Sequence, residues 1–323
     1  MRTRKGAPRP VAAAHGEAQK AMALPNGAGR GAGRCVALAT ALAILAGSCA
    51  TGLVLASSVD PLELLAPGEL AYVRMNAGTA RLLAPSLLPA GEGQALAPLL
   101  DRTSSVALGL GVPAEGRPPF DAVFLGSYPF RSAAIALGGT KGWKREGSGF
   151  SNAKEGIKVA IPGPRLVLAT TGSLDEALAR ARMPGGNPLP PRFSAAAESD
   201  LLVWIPEPFS GLARTLYGLS MDVPAEGLLL RATRGPGAAG PDYSLTATFL
   251  MRDADAARVY RPVLRLAWYG LSHYLLGDEA QLLLAATFSL EGDSYTSSAV
   301  ELPAVQLAAA LSHIGGFESG PAD

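Results

Sequence analysis

The chain is predicted to adopt an α+β fold: two pseudo-repeated halves of mostly antiparallel sheet with helices packed on one face, preceded by a signal or anchor segment. Three observations predict it. Turn residues between apolar runs give hairpin signals, strongest at Pro162-Gly163-Pro164 and Glu291-Gly292-Asp293. Ser173 followed three residues later by Glu176 is a capping box that opens a helix. The order strand, helix, two strands, helix, two strands, helix can be traced on both sides of residues 184–192, although residue identity between the halves is weak.

In the first half, residues 70–75 read as a strand after the Pro67-Gly68 turn, and residues 80–88 as a short helix. Residues 104–112 and 122–128 are rich in Val, Leu and Phe and read as strands. Strands 156–161 and 165–170 flank the Pro162-Gly163-Pro164 turn, and the capped helix runs to about Met183 before the Pro184–Pro188 stop. In the second half, residues 201–205 form an apolar strand, and Phe209, Leu212, Leu216 and Leu219 recur at helical spacing. Strands follow at 227–233 and 243–251, then a helix capped by Asp253 and bent or restarted at Pro262, with Leu264, Trp268, Leu271 and Leu275 on one face. A hairpin of 281–290 and 295–302 turns at Gly292, and a last helix covers 305–314 after Pro303.

Composition narrows the functional classes. Hydrophobic residues make up 48% and charged ones only 17%, against a usual charged share of about 25%. That disfavours disorder and a coiled coil, and a single uncharged stretch excludes a polytopic membrane protein. Residues 1–48 hold seven basic residues and one acid, leaving 21 basic and 26 acidic residues in the remainder. The body is mildly acidic and without a basic run, so nucleic acid is not an expected partner.

Cys35 to Ser58 carries no charge and follows Arg30 and Arg34, giving a basic region, an apolar core and then small residues. The apolar core runs into Leu45-Ala46-Gly47-Ser48-Cys49, which resembles the lipobox of bacterial lipoproteins, in its relaxed, spirochaete-like form. A strict box would place Leu, Val or Ile where Ala46 stands. The resemblance implies peptidase recognition of Leu45, Ala46, Gly47 and Ser48, cleavage before Cys49, and lipidation of the Cys49 thiol. An alternative is an uncleaved anchor: Cys35 to Ser57 as a helix would reach about 34 Å, enough to cross a bilayer.

The expected organisation follows. Residues 1–34 are a disordered basic extension, or a mis-assigned start (Met22 being the alternative) plus the basic region, and 35–48 are the signal core and lipobox. Residues 49–66 are the lipidated Cys and tether, 67–183 the first half, 184–192 a linker, 193–315 the second half, and 316–323 a disordered tail. The body resembles exported α+β proteins of bacteria, a likeness that brings no catalytic residues with it.

Catalytic patterns are scarce. Cleavage would remove Cys35 and acylation would occupy Cys49, leaving no thiol for catalysis or zinc. His273 and His313 are far apart in sequence with no metal-ligand spacing, and Ser272 and His273 point about 100° apart on a helix. Gly109-Leu110-Gly111 and Gly138-Gly139-Thr140-Lys141-Gly142 lack phosphate-loop spacing. Asp253 and Asp255 read as first-turn acids at a helix N-terminus, and Glu291-Gly292-Asp293 as a turn rather than a calcium loop. Trp268, Tyr269, His273 and Tyr274, with Trp204 and Phe209, could form an aromatic wall or simply pack in the core.

These features predict a lipid-tethered protein of the cell membrane or outer membrane, its body facing the periplasm or exterior, with a non-enzymatic binding, assembly or structural role. No cofactor or metal is expected; membrane lipid, through acylated Cys49, and an envelope protein are the expected partners. The alternatives are an exported hydrolase with a motif-free site and a single-pass anchored protein. Two carboxylates converging in a pocket, or a Ser bonded to His273 or His313, would favour the hydrolase.

Overall fold

A computed structural model describes residues 53, 55–56, 58–87, 92–112, 119–210, 222–235 and 242–314. The first half runs β1 (Ala71–Asn76), α1 (Ala77–Leu87), α2 (Glu92–Leu100), β2 (Thr103–Leu110), β3 (Phe120–Gly126), α3 (Phe130–Gly139), β4 (Lys144–Glu146), β5 (Gly149–Asn152), β6 (Ile157–Gly163), β7 (Leu166–Thr170) and α4 (Leu174–Arg182). The second runs β8 (Leu201–Pro206), β9 (Ala225–Arg234), β10 (Asp242–Met251), α5 (Ala254–Val259), α6 (Arg261–Leu276), α7 (Gln281–Leu284), β11 (Phe288–Glu291), β12 (Ser294–Ser297), β13 (Val300–Pro303) and α8 (Ala304–Ile314). Short 3-10 helices occupy Pro61–Leu64, Pro191–Glu198 and Gly277–Ala280.

All thirteen described strands join one antiparallel sheet in the order β11-β12-β10-β9-β8-β1-β2-β3-β7-β6-β5-β4, with β13 beside β10. The two halves meet at the central pair β1–β8, where Val73 faces Val203. Outward from that pair the connection order repeats: β1-β2-β3 and then the hairpin strand β7 on one side, β8-β9-β10 and then β12 and β13 on the other. The mixed α+β architecture and the pseudo-repeat are therefore those the sequence predicts.

The sheet is covered on both faces, where helices on one face were expected. Val73, Met75, Val106, Val203, Leu228 and Phe249 lie under α1, α6 and α8, and the same face continues to Ala122, Val159 and Val167 under α3. Tyr72, Ala107, Val123, Leu166, Leu168, Leu202 and Trp204 point the other way, into a second layer of α4 and the 3-10 helices at 61–64 and 191–198. The reason is in the central strands. Leu166-Val167-Leu168-Ala169 and Leu201-Leu202-Val203-Trp204-Ile205 do not alternate, so both faces are apolar and both need cover.

Other expectations shift locally. The strand predicted from residue 281 begins only at Phe288, because Gln281–Leu284 form α7, whose straight-chain residues suit a helix and whose Leu283 is buried. The strand expected over 295–302 divides into β12 and β13, both paired to β10. The turn at Gly292 stands, with φ +60° and Glu291 opposite Ser294. Helices α2 and α3 and the β4–β5 hairpin have no counterpart in the sequence reading. The helix expected over 209–219 lies outside the described residues, except that Phe209 is buried against Phe249.

Candidate functional site

The described chain begins beside a cleft, and local rules build its walls. Ser173 caps α4 by accepting the Glu176 N–H at 3.3 Å, Asp175 and Glu176 occupy the first turn, and Arg180 and Arg182 the last, as the helix dipole favours. Leu174, Ala177, Leu178 and Ala181 bury one stripe against the sheet. The β4–β5 hairpin lies close over this helix: a Cβ on Gly149 would sit 2.3 Å from the Leu174 side chain, so only glycine permits the approach. Glycine at 163 likewise lets the chain before the first 3-10 helix lie against the β6–β7 turn. There the Leu53 N–H donates to the Pro162 carbonyl at 2.8 Å, and a Cβ on Gly163 would be 2.4 Å from the Leu53 carbonyl oxygen. Leu55 is buried in the core, and Arg165 donates to its carbonyl at 3.5 Å.

Between these parts lies a cleft of about 480 Å³, lined by Leu53, Arg145, Gly147, Ser148, Ile161, Pro162, Leu178 and Arg182. Its charged residues are two arginines, from the β4–β5 hairpin and the last turn of α4, beside four apolar residues. Such a site suits an anion attached to an apolar group.

A second polar cluster sits under the start of β1. The Arg180 guanidinium pairs with the Asp121 carboxylate and also donates to the Leu64 carbonyl at 3.3 Å, while the Thr170 hydroxyl donates to the other Asp121 oxygen. Glu69 extends over the bare backbone of Gly109 and Gly111, where a Cβ would come within 3.0 Å and 3.1 Å of its side chain. Burial, reinforced by the Asp121 charge and opposed by Arg180, pushes the Glu69 carboxyl from an ordinary 4.5 up to about 7. These carboxylates do not line the cleft, and Asp121 is held by Arg180 and Thr170. The cluster fastens the 3-10 segment to α4.

The sign of its pH dependence follows. Folded Glu69 holds its proton more tightly than the unfolded chain does, so its contribution to stability falls as pH rises from about 4.5 to about 7 and is level above. Glu69→Gln keeps the shape without the titration. It is expected to match the parent at pH 4 and to be more stable by about 1–2 kcal/mol at pH 8, allowing for partial exposure. Urea melts at both pH values check this; an equal difference at the two would refute it.

The residues singled out from sequence are scattered. Leu45, Ala46, Gly47, Ser48 and Cys49 lie outside the described residues. The His273 ring lies 4.5 Å from that of exposed Tyr269 at a tilt of 57°, and His313 meets Tyr274 edge-on, the Tyr274 hydroxyl donating to the His313 carbonyl. The Ser272 hydroxyl donates to the Trp268 carbonyl at 2.8 Å and Ser312 to Ala309, so neither is bonded to an imidazole. Trp268 is core: its Nε1–H donates to the Leu283 carbonyl and its ring meets Phe288 edge-on. Trp204 packs on the opposite face of the sheet against Phe193, so the two tryptophans do not form one wall. Asp253 accepts the Ala256 N–H as a helix cap, which lowers its pKa; Asp255 pairs with Arg258 and Asp293 with Arg192. Sequence reasoning missed Arg145, Arg182, Glu69, Asp121 and Arg180, which no local spacing links.

No protein-family model and no curated protein matches the sequence. Among solved structures the chain is similar to TP0453. Crystal form I superposes with a TM-score of 0.58 at 20% identity, covering 80% of this chain and 100% of that one. Crystal form III gives 0.57 at 20% identity, over 80% and 99% of the two chains. At that identity the likeness is one of fold.

Proposed function

We propose that this is an exported protein of the cell envelope, tethered to a membrane by lipid on Cys49, with a non-enzymatic binding, assembly or structural role. One observation carries the reading: Leu53, four residues after Cys49 and the first of the described residues, is already held to the body, its amide bonded to the Pro162 carbonyl. A lipid-modified Cys49 would stand within four residues of this fastened point. The small residues before this Cys, in a chain with only two cysteines, support the same position.

The body supports a binding role. Helices α6 and α8 pack together on the outer layer, α8 has no Lys, Arg, Asp or Glu, and Leu266 (69% exposed), Tyr269 and Val305 face outward. Exposed apolar residues on poorly charged helices suit contact with a partner or a lipid surface. No helix among the described residues is long and apolar enough to cross a membrane.

Two or more acyl chains hold stably where one holds reversibly, and lipoprotein processing supplies that number. Cys49→Ser is expected to abolish incorporation of labelled fatty acid and to leave an unprocessed precursor. A Ser variant that matures to the parent mass and stays in the membrane would replace the lipid anchor with a spanning helix.

A further inference from the structure

We propose that the cleft beside Leu53 binds the phosphate of an anionic lipid headgroup, with Arg145 and Arg182 as its two clamps. Among the described residues neither guanidinium has a carboxylate within 4 Å. Two other arginines of the first half are engaged: Arg180 with Asp121 and Arg165 with the Leu55 carbonyl. Glu146, next to Arg145, and Asp175, two turns before Arg182, do not line the cleft. The site thus presents two arginines with no carboxylate within 4 Å among the described residues, and the forked donors of a guanidinium match phosphate oxygens. Ser148 adds a third polar residue, and Leu53, Ile161, Pro162 and Leu178 complete the lining against which the glycerol would rest. A volume of about 480 Å³ falls in the range of small-ligand sites.

Position selects the lipid source over a free anion, and here the inference rests on the tether reading. Four residues span at most about 14 Å, so an acylated Cys49 would hold the cleft within reach of the headgroup layer. An anionic surface attracts each nearby Arg, and two together predict a substantial preference for acidic lipid.

The test uses the full chain in neutral detergent micelles, titrated with dihexanoyl phosphatidylglycerol, dihexanoyl phosphatidylcholine and sodium phosphate. Guanidinium Nε–H signals of Arg145 and Arg182 provide the readout. Phosphatidylglycerol is expected to shift both signals saturably and to bind at least about tenfold more tightly than phosphatidylcholine or phosphate. Arg145→Gln with Arg182→Gln should weaken phosphatidylglycerol binding, followed by thermal shift, about tenfold or more. Lys144→Gln, next to Arg145 but outside the cleft, should leave it unchanged. Equal affinity for phosphate would make the source a free anion and overturn the lipid assignment. Equal loss in the Lys144 variant would mean diffuse charge, and no saturable shift would remove the site. Because Cys49→Ser protein can be titrated in the same way, failure here leaves the fatty-acid result standing, and failure there leaves this one.

Discussion

Replacing Gly227 with alanine is expected to cost about 2–3 kcal/mol, among the largest losses available from adding one methyl group. Gly227 lies on β9 opposite Pro206, diagonal to Trp204 on β8. A Cβ there would come 1.9 Å, 2.4 Å and 2.5 Å from three carbons of the Trp204 ring. The ring cannot give way, since it is 4% exposed, rigid, and backed by Phe193 at 6.0 Å. It fills the space a side chain would occupy and fastens the 3-10 helix at 191–198 to the sheet. Trp204→Phe shortens the ring at the crowded end, so the double variant should lose at least about 1 kcal/mol less than the two single losses combined. Urea midpoints at constant slope measure the cycle. Strict additivity would mean the ring is not the obstacle.

The second large effect belongs to Arg180. Arg180→Met is expected to destabilise by about 2–4 kcal/mol, because it leaves the Asp121 carboxylate, 13% exposed, with Thr170 as its remaining hydrogen-bond donor. Converting Asp121 to Asn in the same chain removes the stranded charge and should recover about half of the loss or more. Arg180→Met alone also removes the positive charge that lowers the Glu69 pKa, so Glu69 should titrate at a higher pH than in the parent. Adding Asp121→Asn, which removes the larger opposing charge, should bring it back down. Stability profiles between pH 4 and 9 report both effects. If Arg180→Met alone stays within about 0.5 kcal/mol of the parent, the pair is an ordinary surface contact.

Local structure was readable wherever the deciding interaction lies within a few residues. Ser173 and Glu176 are one helical turn apart, so α4 starts where the capping box puts it. Gly292 turns within its own hairpin. Failures came where local preferences were weak or misleading. Leu282-Leu283-Leu284 suits a buried helix as well as a strand, and the burial of Leu283 beneath Trp268 decides for α7. Helix α3 ends in Gly138-Gly139, poor helix formers; Ala133 and Leu137 bury its inner face all the same.

By itself the sequence determined the class of fold, most of the strands, the capped helix and the location of a lipobox-like segment, because caps, turns and apolar runs act over short separations. Only the tertiary structure decided which faces are covered, and which charges meet. Arg145 and Arg182 are 37 residues apart and Glu69 and Asp121 are 52 apart, and nothing along the chain links either pair. Desolvation and Coulomb interaction depend on distance through space in a low-dielectric interior, and the folded sheet sets those distances.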